Sequence, residues 1–277
     1  MKLLVIDLYN YKRDLAQTDM YKALKDEYDL IFANKKKFYN LVKEGDYDFL
    51  YLGIYHPWCG VNNLEEILKI NKKPVIIDQA DNEGFMFRIS SKNIYPENSV
   101  LLSRYLPHVG LSRMWKGKMC LLPWYIDSNR FEPKEKTTDV SFVCTIDINN
   151  RIGADRKKMR TDIKNYCVEN NLSHVVGQYY DNYSDIIGKS KVMIIDGSRY
   201  CLTQKYIEAA LSNCIIVGEK PTSPPNDFIV NNIEDINFEF INNVELLLNR
   251  EYALREFANK DKFLSNFKEI IDILINI

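Results

Sequence analysis

Short, nearly continuous apolar runs alternate with longer stretches of helical periodicity over the first half of the chain. The runs at 2–8, 28–32, 48–54, 74–78 and 99–102 predict strands, and segments near 18–26, 35–44 and 63–71 predict helices. Strands that are apolar on both faces belong to a sheet covered on both sides. Their alternation with helices predicts a parallel α/β sheet. Residues 119–123 offer one more strand, and 124–138, polar and Pro-containing, reads as a linker or domain boundary. A second alternation then begins, with strands at 139–144, 174–176, 191–195 and 214–217. Helices near 154–170, 183–189 and 204–211 separate them. Two amphipathic helices occupy 244–277, broken near Asn259-Lys260-Asp261.

Composition narrows the class. The chain has 277 residues, 46% of them hydrophobic, which is enough for one large or two modest domains. Lys and Arg total 37 against 38 Asp and Glu, a net charge of −1, which argues against a protein that holds nucleic acid by bulk charge. Cys59, Cys120, Cys144, Cys167, Cys201 and Cys214 form no CxxC pair, and several sit in apolar runs. They read as free thiols in a reducing compartment. The first apolar run is only strand-length and ends at Asp7, so no signal peptide is expected. No stretch approaches the roughly 20 apolar residues of a membrane span. The expectation is a soluble, cytoplasmic protein.

The segment 200–217 carries the strongest chemical signal. Thr203 is a good N-cap for a helix over 204–211, and Asn213 suits the residue that ends it. The free N–H groups of that helix start, with Lys205 in the first turn, suit a phosphate. Glu208, about 5–6 Å along the same face, suits ribose hydroxyls. Together they are what a nucleoside diphosphate needs. After the strand at 139–144 comes a cation-rich loop and helix start, where Arg151 and Arg156 can offer planar forks to phosphate oxygens. The plainer reading of Arg156, Lys157 and Lys158 is a solvated helix start.

In the first half, Asp78 closes a buried strand and is the best candidate for a general base. Its alternative is a structural role at the strand end, and Asp81 reads as a helix cap. His56-Pro57-Trp58-Cys59-Gly60 follows the third strand and would suit a hydroxyl acceptor and a sugar ring, or be a turn with a packed Trp. His108 and His174 have no partner spacing. Asp46-Tyr47-Asp48 mimics a metal-binding DxD but precedes its strand, and no His, Cys or carboxylate spacing suggests a metal site.

Three segments in order resemble nucleotide-sugar glycosyltransferases of the GT-B type. Leu122-Pro123-Trp124-Tyr125-Ile126-Asp127 with Phe131-Glu132-Pro133 is similar to the crossover between the two domains. Asp139-Val140-Ser141-Phe142-Val143-Cys144-Thr145, followed by Arg151 and Lys157, is similar to the first strand and phosphate loop of the donor domain. Tyr183-Ser184 through Lys191-Val192-Met193-Ile194, then Lys205, Glu208 and Ala209, is similar to the donor-binding helix. The resemblance covers about 120–220. Tyr200 stands where many members carry a second acidic residue, and Cys144 where a glycine is usual.

The resemblance implies an α/β fold of two Rossmann-like parallel-sheet domains facing a cleft, with C-terminal helices. An acceptor-side domain would span 1–122 and a donor-binding domain 123–258, and the helix at 259–277 would be placed to pack back on the first domain. It implies transfer of a hexosyl or pentosyl group from a nucleoside-diphosphate sugar to a hydroxyl acceptor, a glycan or small molecule, with no metal or other cofactor. Lys205 or Arg151, with Lys157 and Thr203 beside them, would hold the diphosphate, Glu208 the ribose and Tyr180 the base. Asp78 and His56 would serve the acceptor. The alternatives are a modified DNA base as acceptor, a non-catalytic nucleotide- or sugar-binding module motivated by Tyr200, and a nucleotide-sugar epimerase.

Overall fold

The computed structural model describes residues 1–6, 16–33, 35–53, 61–78, 97–104, 117–144, 151–177, 182–196, 203–222, 226–232 and 243–276. Their packing divides the chain into two units, Met1–Tyr125 with Asn259–Ile277, and Ile126–Ala258.

The first unit holds strands β1 (Lys2–Ile6), β2 (Asp29–Phe32), β3 (Phe49–Gly53), β4 (Val75–Asp78), β5 (Ser99–Ser103) and β6 (Lys118–Leu121). Its helices among the described residues are α1 (Ala16–Leu24), α2 (Lys35–Glu44) and α3 (Val61–Ile70). The strands lie in the order β2-β1-β3-β4-β5-β6, with every pairing parallel. β3, β4 and β5 are buried from end to end, which explains their unbroken apolar sequence. On one face Leu4, Ile6, Leu50, Leu52, Val75 and Ile77 pack with Phe38 and Val42 of α2 and Ile67 of α3.

The last helix of the chain, α8 (Lys260–Ile275), belongs to this unit. Asn259 caps it by accepting from Lys262 N–H at 3.0 Å. Phe263, Phe267, Ile270, Ile271 and Leu274 form its buried stripe at helical spacing. Phe267 meets the rings of Tyr28 and Tyr51, and Phe263 stacks on Tyr125 at 5.3 Å. The two carboxylates of the DxD-like triplet have structural partners, since Asp46 pairs with the Lys2 ammonium and Asp48 accepts from Lys2 N–H.

The second unit holds β7 (Thr138–Val143), β8 (His174–Gly177), β9 (Ser190–Ile195) and β10 (Ile215–Gly218). Its helices among the described residues are α4 (Arg151–Glu169), α5 (Tyr183–Gly188), α6 (Gln204–Leu211) and α7 (Asn243–Glu256). The sheet runs β10-β9-β7-β8, again parallel throughout. Ile163 and Cys167 of α4 pack with Val140, Phe142, Cys144, Val192, Ile194 and Val217. On its other side the unit places α6 against β9, β10, α5 and α7.

The segment expected as a polar linker is more anchored than its composition implies. Trp124, Ile126 and Phe131 are all buried, and a short 3-10 turn, Ser128–Phe131, is capped by the Asp127 carboxylate. Three apolar side chains tie down a stretch whose charges and proline dominate its sequence.

Candidate functional site

The second sheet orders its strands so that the chain steps from β7 to β8 on one side and to β9 on the other. The reversal lies between β7 and β9, and open α/β sheets leave a crevice beyond the carboxyl ends of such a pair. Those ends are Cys144 and Asp196.

Among the described residues three charged side chains converge there from three elements. Asp196 follows the last residue of β9, Arg156 comes from α4 and Lys205 from the first turn of α6. The Asp196 carboxylate takes the Lys205 ammonium on Oδ1 at 3.0 Å and the Arg156 Nε–H on Oδ2. The Asp196 and Lys205 side chains each keep 13% exposure and Arg156 keeps 30%, so water reaches the cluster. Burial by itself would raise the Asp196 carboxyl, but the Lys205 and Arg156 charges outweigh it and hold it below the usual carboxylate range. The Cys144 thiol, buried beside these charges, is pushed up mainly by burial.

The frame of α6 is set by local sequence. Thr203 is its N-cap, with φ −75° and ψ 158°, but its side chain makes no capping bond, and its buried hydroxyl has no partner among the described residues. At the other end Asn213 takes the left-handed conformation at φ 53°. Asn213 N–H donates to Ala210 C=O and Cys214 N–H to Ala209 C=O, the paired closure that ends a helix sharply. The chain then enters β10 directly, which fixes the position of the amino end of α6 against β9. The first N–H groups of this helix have no partner further back in it and carry its positive dipole end.

One turn beyond Lys205, Glu208 is buried, with 4% exposure, and accepts the Tyr183 hydroxyl hydrogen at 2.7 Å. The hydroxyl of Tyr206 donates to the Glu219 carbonyl. Lys136 ties the carboxyl ends of α5 and α6 together, donating to Gly188 C=O at 3.0 Å and Ser212 C=O at 2.6 Å.

The structure therefore brings Thr203 and Lys205 to the carboxyl edge of the second sheet, with Glu208 one turn along and fixed by Tyr183. Lys157 lies exposed on α4 next to Arg156. The side chain of Arg151 lies outside the described residues, although its backbone begins α4, and Tyr180 and His56 lie outside them altogether.

Asp78 is in the first unit and is closed in. Its side chain is 3% exposed and its carboxylate is taken by the Arg104 guanidinium and the Tyr51 hydroxyl. Arg104, fully buried, also donates to Leu122 C=O at 3.0 Å and lies 4.6 Å over the Trp124 ring. These partners are of the kind that a structural carboxylate at a strand end would have, the alternative to a general base.

Asp196 and Arg104 are the residues that sequence reasoning passed over, and Tyr183 was quoted there without a role. For Asp196 the signal was present in Met193-Ile194-Ile195-Asp196, a carboxylate ending an apolar run in the same way as Asp78. Among the described residues no group of three His, Cys, Asp or Glu side chains comes together to hold a metal, and no helix is long and apolar enough to cross a membrane.

No protein-family model matches the sequence, and no curated protein matches it. Solved structures do match over the whole chain. HepE from Anabaena in complex with UDP and glucose aligns with a TM-score of 0.67 at 9% identity, covering 100% of both chains. Sucrose-phosphate synthase from Thermosynechococcus elongatus aligns with a TM-score of 0.65 at 10% identity, again over 100% of both. A glycosyltransferase from Rickettsia africae aligns with a TM-score of 0.60 at 9% identity, covering 99% of this chain and 98% of its own. At such identities the likeness establishes the fold, and this chain has the two Rossmann-like α/β units of GT-B glycosyltransferases.

Proposed function

We propose that this protein is a nucleotide-sugar glycosyltransferase whose donor diphosphate sits at the carboxyl edge of the second sheet. The observation that carries the reading is the convergence of Arg156 and Lys205 at the β7/β9 reversal, beside the amino end of α6. HepE, of the same fold, has been solved with UDP-glucose, which supports a uridine nucleotide as the first donor to test.

In the proposed reaction the bond from the anomeric carbon to the diphosphate oxygen breaks and a bond to the acceptor oxygen forms. The acceptor gives up its proton, and the electron pair of the broken bond leaves on the diphosphate. The barrier is lowered by groups that meet this growing negative charge with positive charge already in place. Lys205, Arg156 and the N–H groups opening α6 fill that role, and the reading assigns no step to a divalent ion. Glu208, oriented by Tyr183, is assigned to the ribose hydroxyls. Asp78 enters as a structural carboxylate and not as the base. The acceptor is a hydroxyl on a glycan or small metabolite, and the free cysteines among the described residues fit a reducing compartment such as the cytoplasm.

The test is calorimetric titration of UDP-glucose, GDP-glucose and ADP-glucose into the wild type, Lys205→Ala and Glu208→Ala, with release of nucleoside diphosphate followed by chromatography. Binding of one donor, weakened at least tenfold in each variant and retained in excess EDTA, is expected. Equal affinity in wild type and both variants would remove the site, and loss of turnover on chelation would remove the metal-free step.

A further inference from the structure

The two cations assigned to the diphosphate are both held by one carboxylate. Each carboxylate oxygen of Asp196 holds one of them, Oδ1 the Lys205 ammonium and Oδ2 the Arg156 Nε–H. The carboxylate thus lies between two positive groups in a bidentate arrangement, as two oxygens of a phosphate would. Its backbone is the end of β9, held in the sheet by pairing with β7 and β10. The cations sit on longer side chains from α4 and α6. In this cluster the carboxylate is fixed and the cations have reach.

Resting on the donor-site reading above, we propose that Asp196 is a built-in counter-ion that the donor diphosphate must displace. It keeps Arg156 and Lys205 parked side by side and lowers the affinity for any diphosphate. It also sets which anions are admitted, because an incoming group must offer more to the two cations than one carboxylate does.

The charges facing Asp196 make the argument quantitative in sign. Lys205 comes from α6 and Arg156 from α4, while Arg160, on the next turn of α4, acts on the neighbouring Cys144. Cys144 at the end of β7 and the Tyr206 phenol are the other titratable groups within reach, and burial pushes both up, so both stay neutral near pH 7. A singly charged anion gains little by replacing a carboxylate. A diphosphate with two negative charges and several oxygens wins the exchange, and the Thr203 hydroxyl, without a partner among the described residues, is a further polar group at the edge of the helix start. The exchange turns the cluster into a charge filter at the site where the leaving group forms.

The experiment is calorimetric titration of inorganic pyrophosphate, inorganic phosphate and UDP into the wild type and Asp196→Asn at two salt concentrations. Thermal melting and circular dichroism of both proteins establish that each is folded. Asn keeps the size of the side chain and removes its charge. The exchange predicts that Asp196→Asn binds pyrophosphate and UDP at least tenfold more tightly than the wild type, with a steeper loss of affinity as salt rises. It also predicts that inorganic phosphate, weak in the wild type, becomes a ligand of the variant. A residue that only positions the two cations gives the opposite result, weaker binding in Asp196→Asn. Unchanged or weakened affinity with wild-type UDP binding intact overturns the counter-ion and leaves the donor site standing. If Asp196→Asn does not fold, Asp196→Ser with the same titrations decides. If neither folded protein binds any of the three anions, the counter-ion and the donor site both fall.

Discussion

Replacing Arg104 with Met isolates the buried pair of the first unit. The Arg104 side chain is wholly buried and that of Asp78 is 3% exposed, so neither charge has water to fall back on. Burial works against the Arg104 charge, but the neighbouring Asp78 outweighs it and keeps the guanidinium ionised. Met fills most of the volume and keeps contact with the Trp124 ring. It takes the guanidinium away from the Asp78 carboxylate and keeps the Tyr51 hydroxyl bond, and breaking a buried pair from one side in this way costs about 3–5 kcal/mol. Typical domain stabilities are only about 5–15 kcal/mol, so the first unit should unfold at clearly lower urea. Tyr51→Phe, which removes one hydrogen bond to a charged acceptor, should cost about 1.5–3 kcal/mol. The double variant Arg104→Met/Asp78→Leu removes both charges and should be more stable than Arg104→Met alone, because no unpaired charge remains. Urea unfolding followed by tryptophan fluorescence and far-UV circular dichroism reads all three. The reasoning fails if Arg104→Met costs under about 1 kcal/mol, or if the double variant loses the sum of the single losses. It also fails if Asp78→Asn keeps wild-type stability while abolishing turnover, the behaviour of an exposed base.

Gly218 ends β10 at φ 143°, and a Cβ there would lie 2.3 Å from the Ile195 carbonyl oxygen, one residue before Asp196. Gly218→Ala should therefore lower the melting temperature, with backbone strain of about 1–3 kcal/mol before the clash is counted, and should weaken diphosphate binding as well. Acid should loosen the second unit. The Lys191 hydrogen bond, then those from Ser173, hold Asp139 below its ordinary value of 3.8, and Asp196 is likewise held low. Carboxyls depressed in the folded state contribute stability that is fully present above 3.8 and is lost as pH falls through their lower folded values. Urea midpoints taken from pH 5 downward should fall below that point in the wild type and less steeply in Asp139→Asn, and parallel curves would refute the assignment.

The strands were legible because parallel strands buried on both faces leave no polar alternation, and the runs at 74–78 and 191–195 lie within a residue of β4 and β9. The boundaries of α6 were legible because its start and stop signals are local, Thr203 at one end and Asn213 at the other. The start of α4 was not. The expected helix was near 154–170, whereas it begins at Arg151 and runs through Gly153. A single glycine costs about 1 kcal/mol, which a long helix packed through Ile163 and Cys167 absorbs. The ion pairs were hidden for a different reason. Arg156 meets Asp196 across 40 positions and Arg104 meets Asp78 across 26, separations fixed by which strands neighbour each other and not by any spacing along the chain. Lys205 and Glu208 could be named from helical spacing, but their partners Asp196 and Tyr183 lie on other elements.

The two units present the same local arrangement, an aspartate at the end of a parallel strand held by an arginine from elsewhere, and the difference between them supports the proposed donor site in the second unit. In the first unit the pair is sealed, with 0% and 3% of the side chains exposed and a tyrosine and a tryptophan closing over it. An anion approaching it would have to shed its water and strand a buried carboxylate, so nothing can exchange there. In the second unit the corresponding aspartate faces two cations, and the cluster keeps 13–30% of its side-chain surface. Partial exposure lowers the cost of separating the ions, because water solvates Asp196 as each cation is withdrawn. The second cation, Lys205, adds a positive charge that an arginine–aspartate pair alone lacks. On the proposed reading, the sealed arginine–aspartate pair of the first unit serves the fold, and the wetter pair of the second, with Lys205 beside it, receives the donor diphosphate.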